Sequence, residues 1–205
     1  MKLYYSPGAC SLSPHIALRE AGLAFDLVKV DTAAKKTEAG EDYRRINPKG
    51  VVPALVRDDG TVLTEAAAIV QYIADRAPPH KLAPAHGSDD RYRMIEWLNY
   101  IATELHKGFS PLFKPNTPDD YKAIVKENLA KQFAFVEQKL AGREYLLGST
   151  FTVADGYLFT ILNWAHFVKI DLSPYPNIKA FMERVAARPA VREALKSEGL
   201  LKAAA

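Results

Sequence analysis

Apolar and polar positions follow one rhythm in the first eighty residues of the chain and another beyond them. Lys2 to Tyr5 is a short aromatic and apolar run stopped by Ser6-Pro7-Gly8, a turn signal, and predicts a strand. From about Ser11 to Gly22 the pattern is helical, with Leu12, Ile16 and Arg19 three to four apart and Gly22 as the stop. Phe25 to Val30 predicts a second strand after a very short link. Strand, helix and strand in so short a span form a βαβ unit, whose two strands run parallel. The polar stretch from Asp31 to Lys49 holds one short helical candidate, Glu38 to Ile46. Val51 to Val56 and Thr61 to Leu63 predict two further strands joined by Asp58-Asp59-Gly60, and Asp-Gly between apolar runs makes that pair an antiparallel hairpin. Glu65 to Ala77 predicts an alanine-rich helix with Ile69, Tyr72 and Ile73 on one side. The first half is thus an α/β arrangement, βαβ then ββα, with a four-stranded mixed sheet.

Residues Ala77 to Pro84 carry three prolines in eight positions and predict an inter-domain linker, about 77–86. Beyond it, strand signals vanish. Met94, Leu98, Ile101 and Leu105 repeat at helical spacing, as do Tyr121, Val125, Leu129, Phe133, Val136 and Leu140. Thr117-Pro118-Asp119-Asp120 reads as a helix start, with a capping hydroxyl, a proline and acids against the positive dipole end. Thr152-Val153-Ala154-Asp155 resembles a capping box with Asp in place of Glu, opening the helix that holds Tyr157 to Trp164. Two more helices fit Pro176 to Ala187 and Pro189 to Ser197. The division expected is residues 1–80 as the α/β domain and 81–205 as an all-α helical bundle.

Composition narrows the classes. With 27 basic and 24 acidic residues the net charge is +3, and no basic block is long enough to track nucleic-acid phosphates; the pair Lys35-Lys36 is the main cluster. No apolar run reaches membrane-spanning length, and the N-terminus lacks a signal-peptide pattern, so a cytoplasmic protein is expected. No metal site is expected either.

The single cysteine, Cys10, cannot form an intramolecular disulfide, so it is either buried and inert or open to an external reactant. Composition alone favours the inert state. Its place after a strand and turn, at the start of a helix, reverses that order, because unsatisfied N–H groups and the dipole end stabilise a thiolate. The run Cys10-Ser11-Leu12-Ser13 has serine where a dithiol oxidoreductase has its resolving cysteine, so an adduct on Cys10 persists until a second external thiol arrives. Val52-Pro53 is a candidate cis peptide at the mouth of the third strand, leaving the Val52 main chain open to an extended ligand; an ordinary trans proline fits equally well. Glu65 in a first helical turn complements the dipole, and the functional alternative has the Ala66 N–H holding a ligand carboxylate while Glu65 takes a ligand amine.

Residues 1–15, Asn47 to Pro53, Leu63 to Ile69, Glu104 to Lys107 and Phe151 to Asp155 together resemble, in order and over essentially the whole chain, the bacterial beta-class glutathione S-transferases. The resemblance implies a thioredoxin-like glutathione-binding domain, an all-α domain supplying the electrophile pocket, and a homodimer. It implies that Cys10 meets the glutathione sulfur, often as a mixed disulfide. Val52 then pairs with the cysteinyl backbone beside cis-Pro53, Glu65 and Ala66 hold the γ-glutamyl end, and Lys35 takes the glycyl carboxylate. Asn99 and Thr103, Glu104, Leu105 and His106 approach from the helical domain, some of them from the partner subunit. Many relatives have serine at position 66; Ala66 keeps the backbone N–H and loses the hydroxyl.

Asn99, Thr103 and His106, spaced by four and three, fall on one helix face, apart from the apolar stripe; a solvated surface accounts for that stripe as well. His106 near Cys10 would help hold a thiolate or orient a substrate, and Lys107 could do likewise. His15 reads as structural. Phe109, Phe113, Trp164, Phe167 and Tyr157 are candidate pocket residues, although aromatic residues on amphipathic helices are commonly core. Three activities compete: conjugation of glutathione to small hydrophobic electrophiles, thiol–disulfide exchange with reductive dehalogenation as a variant, and non-enzymatic binding of apolar compounds.

Overall fold

The computed structural model describes residues 1–79 and 81–201; His80, in the proline-rich connection, and residues 202–205, with the terminal alanines, lie outside the described residues. Two compact units form, one from Met1–Ala83 together with the chain from Arg188 on, the other from Pro84–Ala187.

The first unit opens with β1 (Lys2–Tyr5), α1 (Leu12–Ala21), β2 (Asp26–Asp31), β3 (Lys36–Thr37), β4 (Ala54–Val56), β5 (Val62–Thr64) and α2 (Ala66–Ala74). The strands form one mixed sheet in the order β3-β2-β1-β4-β5. β1 runs parallel to β2, with Leu3 opposite Leu27, and antiparallel to β4, with Leu3 opposite Leu55. The hairpin pairs β4 with β5 antiparallel. The sheet therefore has five strands where four were expected. β3 is a two-residue edge strand on β2, too short for any alternation to show in the sequence.

The helix expected over Glu38 to Ile46 shrinks to a single 3₁₀ turn, Tyr43–Arg45, whose Arg44 N–H donates to Asp42 Oδ1 at 3.0 Å. Gly40, at φ 83°, stands in a conformation that a right-handed helix cannot include. α1 ends as expected: Gly22 takes the left-handed conformation and Leu23 N–H reaches the Leu18 carbonyl at 3.2 Å.

α1 and α2 pack on each other and bury Leu12, Ile16, Leu18, Ile69, Val70 and Ile73, each worth roughly 2 kcal/mol of apolar burial. A second cluster gathers Tyr4, Val30, Tyr43, Val52 and Ala54. Tyr4 and Ala54 are register partners and so share a face, and the Tyr43 ring stands 5.6 Å from that of Tyr4. The 3₁₀ turn thereby ties the loop before β4 to the sheet.

The second unit holds α3 (Asp89–Tyr100), a π-helical stretch Ile101–His106, α4 (Lys107–Phe109), a 3₁₀ turn Ser110–Phe113, α5 (Asp119–Leu140), α6 (Val153–Leu162), α7 (Trp164–Phe167) and α8 (Pro176–Ala186). Ser88 caps α3 by accepting from Arg91 N–H at 3.2 Å. Thr117 does not cap α5: its hydroxyl donates backwards to the Pro111 carbonyl at 2.7 Å and Pro118 occupies the cap position, while Asp119 and Asp120 fill the first turn. α6 is buried on every side, which its near-continuous apolar sequence allows. Asp155 secures its start. Its Oδ2 accepts from the Thr152 N–H and hydroxyl at 2.8 and 2.9 Å, and its Oδ1 from Leu146 N–H at 2.8 Å. Burial raises this carboxyl to about 6, against those bonds, which lower it.

The expected division at residue 81 gives the last helix to the bundle, and the structure corrects this. α9 (Pro189–Ser197) packs on α1, burying Val191, Ala194 and Leu195. Arg188 Nε and Nη2 donate to the two Glu20 oxygens at 2.6 and 2.9 Å, a bidentate clasp on the end of α1. An amphipathic stripe shows that a helix is covered on one side; it does not say by which unit.

Candidate functional site

The turn between β1 and α1 places Cys10. Ser11 Oγ accepts from Ser6 N–H at 3.1 Å and donates to the Ser6 carbonyl at 3.2 Å, closing the turn on itself. Gly8, at φ 72°, donates its N–H to Glu198 Oε2 at 2.9 Å. The other oxygen of Glu198 meets His15 Nδ1 at 2.8 Å, and Arg19 Nε donates to His15 Nε2 at 2.9 Å. His15 is fully buried in this network and is structural. Cys10 itself precedes the cap residue Ser11 and is 9 % exposed.

Its thiol donates to the Val52 carbonyl at 3.3 Å. A carbonyl acceptor favours the protonated sulfur, so this contact opposes the thiolate-stabilising effect of the helix start. The Val52-Pro53 peptide bond is cis. The Val52 carbonyl, read from the sequence as open to a ligand, is engaged by Cys10.

The loop before Val52 is pinned at one atom. The Val51 carbonyl accepts from the Tyr43 hydroxyl at 3.0 Å and from Asn47 Nδ2 at 2.7 Å. Burial, the largest cause, pushes the Tyr43 phenol up to about 12. Lys35 sits in a left-handed turn at φ 57°, lays its stem over Gly50 and donates from Nζ to the Gly50 carbonyl at 2.8 Å. A Cβ on Gly50 would stand 3.4 Å from Lys35 Cδ, and Gly50 is itself at φ 64°.

Glu65 precedes α2 at φ 69° and ψ 117°, an unusual conformation for a side-chain-bearing residue. Ala66 is the first residue of the helix, so its N–H belongs to the turn whose donors have no intrahelical partner. Lys49, not singled out from the sequence, reaches Glu65 Oε1 at 2.5 Å and Thr64 Oγ1 at 2.9 Å. Only the run Asn47 to Gly50 pointed to it, and nothing in spacing links residue 49 to 65. Cys10, Val52, Pro53, Lys35, Glu65 and Ala66 all belong to the first unit.

In the second unit the π stretch changes the expected faces. Its wider turn means that three residues close less of a revolution, so Thr103 and His106 do not share a face as the regular spacing implied. Asn99 and Thr103 are exposed, the Thr103 hydroxyl donating to the Asn99 carbonyl at 3.1 Å and Asn99 Nδ2 to the Ile95 carbonyl at 3.0 Å. Thr103, Glu104 and Lys107 line a hollow of about 330 Å³ against α5. Leu105 is fully buried in the core, so its side chain is not offered to a ligand.

His106 turns instead toward α6 and α7. Its Nδ1 lies 2.7 Å from the Tyr157 hydroxyl, and its ring stands edge-on to Trp164 at 4.9 Å. Trp164 also meets Phe109 at 5.9 Å and Phe113 at 5.3 Å, both near right angles. Phe109 is fully buried and Phe113 is exposed, so Phe109 is core and Phe113 surface. Lys107 does not join these rings. Phe167 is exposed, and its ring meets His166 at 5.8 Å. Tyr157 is the residue whose contact with His106 the sequence did not show, because fifty-one positions separate them. Among the described residues no group of three or more His, Cys, Asp and Glu is set to hold a metal, and no helix is long and apolar enough to cross a membrane.

A mixed sheet with a cysteine ahead of its first helix, facing a main-chain carbonyl beside a cis proline, defines a thioredoxin-like thiol-handling fold. The model for the glutathione S-transferase N-terminal domain matches residues 8–76 and that for the C-terminal domain residues 100–189. Glutathione S-transferase GstA of Escherichia coli O157:H7 is 54 % identical over 98 % of this chain and 100 % of its own. Among solved structures, the ternary complex of BphK, a bacterial glutathione transferase, is 57 % identical with a TM-score of 0.96, covering 98 % of this chain and 100 % of that one. A sphingomonad glutathione S-transferase complexed with glutathione is 52 % identical at 0.94, and the beta-class enzyme of Sphingomonas chungbukensis 50 % at 0.95, each with 98 % of this chain and 100 % of theirs. The chain belongs to the glutathione S-transferase family, in its bacterial beta class.

Proposed function

We propose that this transferase binds glutathione on its first unit, with the tripeptide sulfur at Cys10, and conjugates it to small hydrophobic electrophiles such as halogenated aromatics. The observation that carries the reading is the Cys10 sulfur 3.3 Å from the Val52 carbonyl, the main-chain group beside cis-Pro53 on which a cysteinyl backbone would pair. Lys35 would meet the glycyl carboxylate and Glu65 with the Ala66 N–H the γ-glutamyl end. His106, with Trp164 and Phe113, would serve the electrophile. The glutathione in the sphingomonad relative supports the choice of thiol.

In conjugation the glutathione thiol gives up its proton, the sulfur attacks the halogen-bearing carbon, and halide leaves with the bonding pair; positioning and stabilised thiolate charge lower the barrier. A second chemistry rests on the lone Cys10. Its thiolate attacks a glutathione mixed disulfide, expels the other thiol as thiolate, and is released by a second glutathione, which becomes glutathione disulfide. Serine at position 13 leaves that release to an external thiol.

Cys10→Ser tests both. The expected result is that glutathione conjugation to a chlorinated nitrobenzene persists while mixed-disulfide reduction vanishes. Wild-type rates for both would remove Cys10 from the mechanism. A homodimer belongs to the same proposal, and sedimentation of the wild-type chain at one-subunit mass would refute it.

A further inference from the structure

We propose that Tyr157 is a positioning residue for His106: its buried hydroxyl fixes the rotation of the imidazole through Nδ1. Tyr157 is 1 % exposed on α6, and its hydroxyl lies 2.7 Å from His106 Nδ1. The two rings are perpendicular, 88° apart with centroids at 6.0 Å, while Trp164 bounds the imidazole at 4.9 Å and 77°. Packing of the two aromatic rings limits where the imidazole can lie. The hydroxyl bonds Nδ1, which ring packing does not single out, and so fixes the rotation of the imidazole between those rings.

The hydroxyl has a firm base. Tyr157 follows Asp155 by two residues, and the Asp155 carboxylate anchors the start of α6 to Leu146 and Thr152. His106, by contrast, ends the π stretch. Hydroxyls bond back to carbonyls on both sides of it, Thr103 to Asn99 and Ser110 to His106 at 3.3 Å. The tyrosine therefore holds a histidine whose own backbone turn is irregular, and irregular turns of this kind favour side-chain orientations that a regular helix does not offer. The assignment rests on the proposal that His106 serves the electrophile.

Tyr157→Phe removes the oxygen and keeps the ring. With ¹⁵N-labelled histidine, the His106 Nδ1 resonance is expected to shift as its hydrogen bond is lost. Turnover of a chlorinated nitrobenzene is expected to fall about threefold to tenfold, as loss of one hydrogen bond allows, with the KM for glutathione within twofold of wild type. In a His106→Phe background the same substitution should change turnover by less than twofold. Unchanged ¹⁵N shifts, or an equal loss of turnover in both backgrounds, overturns the proposal. Should Tyr157→Phe fail to fold, His106→Phe read at the ¹³Cζ of Tyr157 decides it: a shift supports the bond and no shift refutes it. The resonance measurements need no turnover, so a wild-type chain without transferase activity would sink the proposed function and leave this test intact.

Discussion

The turn around Cys10 and the surroundings of His106 are held in different ways. In the first unit, polar atoms from distant parts of the chain grip the backbone: Glu198 takes the Gly8 N–H, and Tyr43 and Asn47 take the Val51 carbonyl. In the second, the Tyr157 and Trp164 rings stand near right angles to one imidazole, Phe109 and Phe113 pack in turn on Trp164, and the Tyr157 hydroxyl meets Nδ1. Polar tethers fix individual atoms, and each fails singly when its partner is cut. Ring packing spreads its contribution over many weak contacts and sets a volume more than an orientation. Under the proposed function, a loop offering main-chain groups to a peptide thiol would suit the first kind of support, and a site for flat apolar compounds the second.

The largest test of that contrast is a place where the second unit breaks its own pattern. Asp155 is a polar tether beneath the aromatic cluster, and its three accepted bonds secure the helix carrying Tyr157. Asp155→Ala should cost about 4 kcal/mol in urea unfolding, since it leaves the Leu146 and Thr152 donors buried without an acceptor. A cost below about 1 kcal/mol would mean that packing alone holds α6. The carboxyl also sets a pH dependence. Raised to about 6 from 3.8, it keeps in the folded chain a proton that the unfolded chain has lost between about pH 4 and pH 6. Its contribution to stability therefore falls as pH rises through that window, by about 3 kcal/mol, and is flat above it. Asp155→Asn cannot ionise, so the advantage of wild type over it should be larger at pH 4.5 than at pH 7. A difference independent of pH would contradict the raised value.

Asp155 was also among the most legible residues. A capping box is a bond between neighbours in sequence, so Thr152 and Asp155 announce it by spacing alone. The βαβ unit and the Asp-Gly hairpin were legible for the same reason. What escaped was set by partners far along the chain. The two-residue β3 has no pattern of its own, and α9 carries a stripe that either unit could cover. The Lys49–Glu65 and His106–Tyr157 contacts join positions that no periodicity relates. The π stretch left no trace: buried Ile101, Leu105 and Phe109 repeat by fours, as Val125, Leu129 and Phe133 do in the regular α5. Of the site residues, Cys10, Val52 and Pro53 lie where the strand and turn signals put them. Leu105 has the buried side chain that its place in the apolar stripe implies.

The next effect in size concerns the first unit. Glu198→Ala leaves the Gly8 N–H and the buried His15 without that carboxylate, and should cost about 3 kcal/mol. If polar tethers hold the Cys10 turn, the substitution should also raise the rate of Cys10 alkylation by iodoacetamide several-fold, measured well below the unfolding transition. An unchanged alkylation rate alongside lost stability would show that the tether supports α1 and α9 without constraining the turn.

The smallest effect tests the contrast from the opposite direction. Ser13 is 1 % exposed, and its hydroxyl is a buried polar atom with no hydrogen-bond partner among the described residues. A tether without a partner destabilises, because the hydroxyl gives up water and gains nothing in return. Ser13→Ala should therefore stabilise the fold by about 1 kcal/mol, raising Tm by roughly 2–4 °C for a chain of this length. The position is also the one at which a dithiol enzyme carries its resolving cysteine, three residues after Cys10. A polar group kept there at a cost to stability would be explained by use on a bound thiol. Ser13→Ala that is more stable than wild type yet slower in mixed-disulfide reduction would place the hydroxyl in the chemistry, and one that is more stable and equally fast would leave it a packing defect.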